Sequence, residues 1–258
     1  NTTDQSQPAT TVSVRELAEF CYRSGDIDHR FTPSPTGVQG TEGHQRVFRK
    51  RPNSYHSEFP VEYRYKRQRG ELVLRGRADG YDSVAAMVEE IKTCRVNPAV
   101  IPDSVKEVHL AQAKLYAALV AQQEDREQLE VRLTWFNIDS QQEWSSGDTY
   151  SAGQLAEFLN ESLLRFSLWL EELQDLRGLR NASIDALQFP YPDFRAGQRE
   201  IAELVYKCTD QSGQLLLEAP TGIGKSAAVL FPALKALATD KHDRLIFLTA
   251  KSVGRRTA

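Results

Sequence analysis

The sequence predicts an α/β protein, a mixed central sheet flanked by helices, followed by the first part of a second unit made of strand, phosphate loop and helix. Three observations predict it. Strand-like runs rich in β-branched and aliphatic residues at 71–94 and 129–139 alternate with helical patterns at 103–123 and 154–176. Near residue 185 the text changes character, and a short apolar run leads into the Gly-rich segment Ala219 to Ser226 (APTGIGKS). With 258 residues, 40% of them hydrophobic, the chain can bury two modest cores. The expected organisation is a polar tail at 1–11, a first domain at 12–178, a linker at 179–188 and the start of a second domain at 189–258.

In the first domain, Glu71 to Tyr81 and Val84 to Cys94 read as two strands of a hairpin about Asp82-Ser83, with Asp79 ending the first strand. Side chains two apart on a strand share a face, so Glu90 and Lys92 project together while Ile91 turns the other way and offers only its backbone carbonyl. Pairing about the turn brings Asp79 near Glu90. Two hard carboxylates on neighbouring strands suit Mg²⁺ or Mn²⁺ and leave positions for water and a phosphate oxygen. Such a metal makes hydroxide available near neutral pH, and Lys92 can orient the attacking water or neutralise the phosphate. The expected chemistry is metal-dependent cleavage of a phosphodiester. Asp103 to Gln123 has a helical period and an Asp or Ser cap, which places Gln112 and Tyr116, four apart, on one face. Upstream, Gly40 to His44 supplies an imidazole that is an acceptable further ligand when neutral. Leu129 to Asp139 and Gln141 to Tyr150 read as further strands. Gln154 to Leu176 reads as a packing helix with Leu155, Leu159, Leu163, Phe166, Leu170 and Leu173 on its apolar stripe.

These residues resemble the RecB-type branch of the PD-(D/E)xK nucleases, whose pattern is G-xxx-H, an aspartate, E-x-K or D-x-K, then Q-xxx-Y. All four pieces occur in order, as Gly40 with His44, Asp79, Glu90 with Lys92, and Gln112 with Tyr116, over roughly residues 12 to 175. The resemblance implies a restriction-endonuclease-like core in which His44, Asp79 and Glu90, with the Ile91 carbonyl, hold the metal. Lys92 is then the catalytic lysine, and Gln112 and Tyr116 sit beside the DNA. Some members of this branch carry an iron-sulfur cluster on four cysteines. Here only Cys21, Cys94 and Cys208 occur, widely spaced, so no such cluster is expected.

In the second unit, Gln214 to Glu218 (QLLLE) reads as a short buried strand feeding the loop and an apolar helix. Strand, loop and helix N-terminus cradle phosphates with backbone N–H groups of Thr221, Gly222 and Gly224; Lys225 reaches the β and γ phosphates of ATP and Ser226 a Mg²⁺. Ala219 in the first position resembles the form used by superfamily 2 helicases. Phe189 to Tyr191, Arg195 and Gln198 are similar to the adenine-reading segment of the DinG and XPD branch, and Leu248 to Arg255 to its motif Ia, which touches single-stranded DNA. No Asp-Glu-x-His box follows, so the chain is expected to be the N-terminal part of a longer nuclease-helicase of DNA repair.

A formal charge of -3 does not announce a nucleic-acid binder, but distribution matters more than the sum. From His44 to Arg77 there are ten Lys or Arg against three acids, interleaved with Phe48, Tyr55, Phe59, Tyr63 and Tyr65. This is either a groove for backbone phosphates and unpaired bases or a solvated strand face whose aromatics enter the core. Asp26, Asp28, Asp82 and Glu89 read as solvated turn and strand residues rather than extra ligands. The cysteine spacing argues against a disulfide framework and a zinc site and suits a reducing cytoplasm. The longest apolar stretch, Ala227 to Ala238, is too short to span a bilayer, and no signal peptide is visible, although the start at Asn1 leaves processing open. The expected partner is single-stranded or flapped DNA. A silent DNA-loading module and an ATPase with a structural front domain are the competing readings.

Overall fold

The computed structural model describes residues 9–25 and 34–249; Asp26, Asp28 and the 250–255 part of the motif Ia likeness lie outside them. The chain divides into two compact units, 1–171 and 172–258.

Unit 1 is α/β, with a mixed sheet flanked by helices. Its elements are β1 (Thr10–Ser13), α1 (Val14–Tyr22), α2 (Gly37–Phe48), β2 (Tyr55–Lys66), β3 (Glu71–Asp82), β4 (Met87–Cys94), α3 (Asp103–Gln123), β5 (Gln128–Asn137), β6 (Glu143–Ser151) and the start of α4 (Ala152–Ala186). The sheet runs β1-β3-β4-β5-β6, with β2 along the other edge of β3. β1 with β3 and β4 with β5 are parallel; the remaining pairs are antiparallel. Parallel β4 and β5 need a crossover, and α3 supplies it.

Local chemistry starts the helices. Ser13 and Glu16 close a capping box on α1, and Thr36 and Gln39 close one on α2. α3 carries alanines at 111, 113, 117, 118 and 121, all buried, which let its backbone approach the sheet while Leu115, Leu119 and Val120 fill the core with Leu72, Leu74, Val88, Val131, Leu159 and Leu163.

The hairpin departs from expectation in a way that matters for the site. β3 continues three residues past Asp79, to Asp82, and the turn is held by Asp82, whose Oδ1 accepts from the N–H groups of Val84 and Ala85. β3 and β4 pair only at Gly80↔Glu89, Tyr81↔Val88 and Asp82↔Met87. β2 occupies one edge of β3 along its whole length, so β1, paired with Leu72 to Arg75, shares the opposite edge with β4. Between them, among the described residues, the edge of β3 from Gly76 to Asp79 is left open.

Unit 2 contains the end of α4, α5 (Gln198–Asp210) and α6 (Lys225–Leu237) around a small core of Ile201, Val205, Ala228 and Ala233. Two expectations are corrected here. Residues 179–186, read as part of a linker, are helical: Ile184 is buried, Lys235 Nζ donates to the Ile184 and Asp185 carbonyls, and Arg180 and Asn181 bond Asp240. Gln214 to Glu218 forms no strand, and Leu216 is fully exposed. An apolar run becomes a buried strand only between neighbouring strands, and the described residues of unit 2 contain none.

No described helix is long and apolar enough to cross a membrane.

Candidate functional site

The site of unit 1 is built on the divergence of β3 from β4. Past Gly80↔Glu89 the two strands no longer exchange backbone hydrogen bonds, and a side chain takes the place of a strand: Asp79 Oδ2 accepts the Ile91 N–H at 2.7 Å. Asp79 Oδ1 lies 3.5 Å from His44 Nδ1 on α2, and the Ile91 backbone lies beside the same imidazole. Glu90 projects into the core side of β4, 1% exposed, with Lys92 Nζ 2.6 Å from its Oε1; its Oε2 is buried without a partner. Lys92 Nζ is also 3.5 Å from Gln112 Oε1 on α3. Tyr116, one turn on, has its phenol beside Gln112 and the Arg77 backbone at the open edge of β3. It fits there because residue 76 is glycine: a Cβ would stand 2.7 Å from Tyr116 Cε1 and 3.0 Å from Val14 Cγ2. Ile91 turns away, into a cluster with Val47 and Phe136.

Electrostatics follow from burial. Burial raises the Asp79 carboxyl above its ordinary value against the pull of Lys92 and the Ile91 N–H, and raises that of Glu90 against the pull of Lys92, with Asp79 adding to the rise. Burial and then Lys92 lower the His44 imidazole, which favours its neutral, ligating form. Burial also raises the Tyr116 phenol, keeping it a donor.

The sequence-predicted residues Asp79, His44, Glu90, Lys92, Gln112 and Tyr116 thus form one connected set. Among the described residues, however, no group of three or more His, Cys, Asp or Glu side chains is gathered as a metal shell. The reason is visible in the pairs: Lys92 sits on Glu90, and the Ile91 N–H sits on Asp79. The donor chemistry nevertheless fits a hard divalent cation, since Glu90 Oε2, Asp79 Oδ1 and a neutral imidazole are oxygen and nitrogen donors, one of them buried and unpaired.

Sequence reasoning misplaced Glu89 and Asp82. Asp82 is a turn residue but a buried one, and Glu89 is not solvated at all. Arg51 grips Glu89 through Nε at 2.8 Å and Nη2 at 2.7 Å, while Tyr55 Oη at 2.9 Å and Thr134 Oγ1 at 2.5 Å also donate to it. Burial alone raises the Glu89 carboxyl, but these donors outweigh it and hold it below its ordinary value. This network lies on the opposite face of β4 and anchors the strand that carries Glu90. The basic stretch likewise resolves toward structure. Lys50 and Arg51 meet Glu143, Arg64 and Arg75 meet Glu62, and Arg64 meets Glu71. Phe59, Tyr63 and Tyr65 pack on the main core and Phe48 on the smaller cluster of α2. The only sequence signal for these pairings is the period-two placement of opposite charges along β2 and β3.

In unit 2 the loop before α6 has Gly224 at φ +84, a backbone form that side chains resist, and a Cβ there would lie 2.4 Å from Gln198 Nε2. Gln198 is buried and uses both ends of its amide: Oε1 accepts the Arg195 N–H at 3.0 Å and Nε2 donates to the Gly224 carbonyl at 3.1 Å. It braces the loop, and Arg195 bonds the Gly222 carbonyl. Lys225 Nζ donates to the Ala219 and Pro220 carbonyls, each at 2.9 Å. A cavity of about 520 Å³ beside the loop is lined by Tyr191, Arg195, Gln198, Lys225, Ser226 and Phe231 among others, a size suited to a small ligand. Thr221 lies on the loop turn itself.

No family model matches the chain. The crystal structure of SSO0001 aligns at 16% identity with a TM-score of 0.39, covering 62% of this chain and 79% of that one, a likeness too slight to carry an argument. Over 62 residues the chain is 37% identical to the "Probable ATP-dependent helicase MJ0942" of Methanocaldococcus jannaschii. The match covers 24% of this chain and 9% of that protein, so the chain spans under a tenth of the relative's length and is related to a helicase through that part alone.

Proposed function

We propose that unit 1 is a divalent-metal-dependent deoxyribonuclease with a PD-(D/E)xK-type core, cleaving phosphodiester bonds of single-stranded or flapped DNA. The observation that carries this reading is the buried, unpartnered Glu90 Oε2 beside Lys92, in one connected set with Asp79 and neutral His44. His44, Asp79 and Glu90, with the Ile91 carbonyl, are the residues that hold Mg²⁺ or Mn²⁺. The bound ion supplies hydroxide near neutral pH and offsets charge on the phosphate. Lys92 would orient the attacking water or meet a phosphate oxygen, with Gln112 steering its ammonium. Tyr116, packed against Gly76, flanks the strand being cut.

The partial likeness to a helicase supports DNA as the partner; DNA repair is the setting we propose. The loop of unit 2 would serve a DinG-like ATP-driven helicase activity, with Thr221, Gly222, Gly224, Lys225 and Ser226 on ATP and its Mg²⁺, and Gln198 bracing the loop. A second reading, a catalytically silent DNA-loading module, is favoured by the absence of a gathered metal shell among the described residues.

The test is incubation of labelled single-stranded, duplex and flapped DNA with Mn²⁺ or Mg²⁺, beside Asp79→Ala and Lys92→Ala. Metal-dependent cleavage lost in both variants is expected. Cleavage that persists in both, or needs no metal, sinks the site; DNA binding without cleavage of any substrate favours the silent module.

A further inference from the structure

His109 is a polar group beside the candidate site that neither the motif nor the proposed chemistry uses. It lies on α3 one turn before Gln112 and two before Tyr116, and residues spaced three and seven apart share a helix face, so it is presented alongside them. Across the sheet, its ring stands edge-on to Trp135 with centroids 5.6 Å apart. Trp135 is the register partner of Lys92 on the neighbouring strand. Two independent placements, one through the helix and one through the sheet, therefore put the imidazole on the Lys92 side of the Glu90–Lys92 pair.

Its Nδ1 is buried without a partner. An enclosed nitrogen with no partner is better held as a bare lone pair than as an unpaired N–H, which bears on the tautomer. Burial first, then the charges of Lys92 and Arg15, push the imidazole pKa down to about 3, so the ring is neutral at every working pH. A neutral imidazole has one N–H donor and one acceptor nitrogen. With Nδ1 enclosed and unbonded, the proton belongs on Nε2, the nitrogen available to a ligand. The surroundings are cationic: Lys92 is one neighbour and Arg15, with a side chain 74% exposed at the start of α1, is another. Two cations, Lys92 paired with Glu90 and Arg15 with Glu19, and a neutral donor between them suit an anion better than a metal.

We propose that His109 is a DNA-contact residue, its Nε2–H donating to a phosphodiester oxygen of the strand held at Lys92, with Arg15 at the outer rim of the same contact. The assignment rests on the nuclease reading for its substrate, but it concerns binding and not the bond-breaking step.

The test separates the two. Binding of a fluorescein-labelled single-stranded oligonucleotide is followed by anisotropy in EDTA, and cleavage is followed separately with Mn²⁺, for the full chain and for His109→Phe and His109→Gln. Phe keeps the aromatic packing on Trp135 and removes the donor; Gln keeps a donor at the position of Nε2. Loss of one hydrogen bond to a charged oxygen weakens binding by about tenfold or more. The expected result is that loss in His109→Phe, retention within about threefold of wild type in His109→Gln, unchanged melting of both, and a KM effect larger than any kcat effect. Wild-type affinity in His109→Phe overturns the assignment, as does equal loss in both variants. Binding that depends on His109 in a protein that cleaves nothing overturns the nuclease reading and leaves the contact standing; no binding by the wild type overturns both.

Discussion

Replacing Arg51 by Met tests whether the network beneath β4 holds the strand that carries Glu90. The substitution keeps an unbranched apolar stem and removes the guanidinium that reaches Glu89 at 2.7 and 2.8 Å. The Glu89 side chain is 0% exposed, so water cannot replace the lost donor. Removing one partner of a buried pair costs about 3–5 kcal/mol. Tyr55 and Thr134 still donate to the carboxylate, which puts the expected loss near the lower end, about 3 kcal/mol at pH 7.5. The pH dependence gives a second check. In the wild type the Glu89 carboxyl lies below its ordinary 4.5, so its contribution is intact above that value and is lost only as pH falls through the depressed value. In the variant, burial without Arg51 pushes the carboxyl up instead. The variant then recovers stability as pH falls, and its deficit narrows between pH 7.5 and pH 5. Urea denaturation followed by tryptophan fluorescence is the assay, because Trp135, Trp144 and Trp169 all lie in unit 1 and report its unfolding alone. A deficit below about 1 kcal/mol, or one that is the same at both pH values, refutes the reasoning.

Gly76→Ala places a Cβ 2.7 Å from the Tyr116 ring and is expected to destabilise unit 1 by about 1–3 kcal/mol, with most of the effect vanishing in a Tyr116→Ala background; additive losses in the double mutant, again by urea and tryptophan fluorescence, count against the contact. Because Asp79 and Glu90 both have raised values, their folded state holds protons the unfolded state has released, and their contribution to stability, complete below about 4, falls as pH rises through the raised range. A cation that competes with those protons reverses this, so Mn²⁺ is expected to raise the unit 1 melting temperature more at pH 8 than at pH 6, and not at all in Glu90→Gln; an equal shift at both pH values contradicts the metal assignment.

Much of the unit 1 site was legible because its parts are local in sequence or repeat at a fixed spacing. α3 spans Asp103–Gln123 as its period predicts, and Gln112 and Tyr116 share a face because four residues make about one turn. Glu90 and Lys92 project together because a strand alternates. What could not be read is non-local. Arg51 finds Glu89 from 38 residues away, and nothing in the composition of 44–77 distinguishes a cation that meets DNA from one that meets Glu62 or Glu143. The three-pair contact of β3 and β4 was hidden for the same reason: β1, some sixty residues upstream, takes the edge of β3 at Leu72 to Arg75 that a full hairpin would have used. In unit 2, Gln214 to Glu218 has the composition of a buried strand, but strand formation is a property of the neighbours as much as of the run itself.

The opening in the edge of β3 from Gly76 to Asp79 also bears on how the molecule keeps to itself. Unpaired strand backbone is ordinarily a template on which another chain can extend the sheet, and proteins protect long free edges for that reason. Here the unpaired stretch is four residues long and is closed at one end by β1 and at the other by β4. The Tyr116 ring lies against it at Gly76, and it is too short and too enclosed to admit a foreign strand. The backbone is exposed to chemistry without being exposed to aggregation.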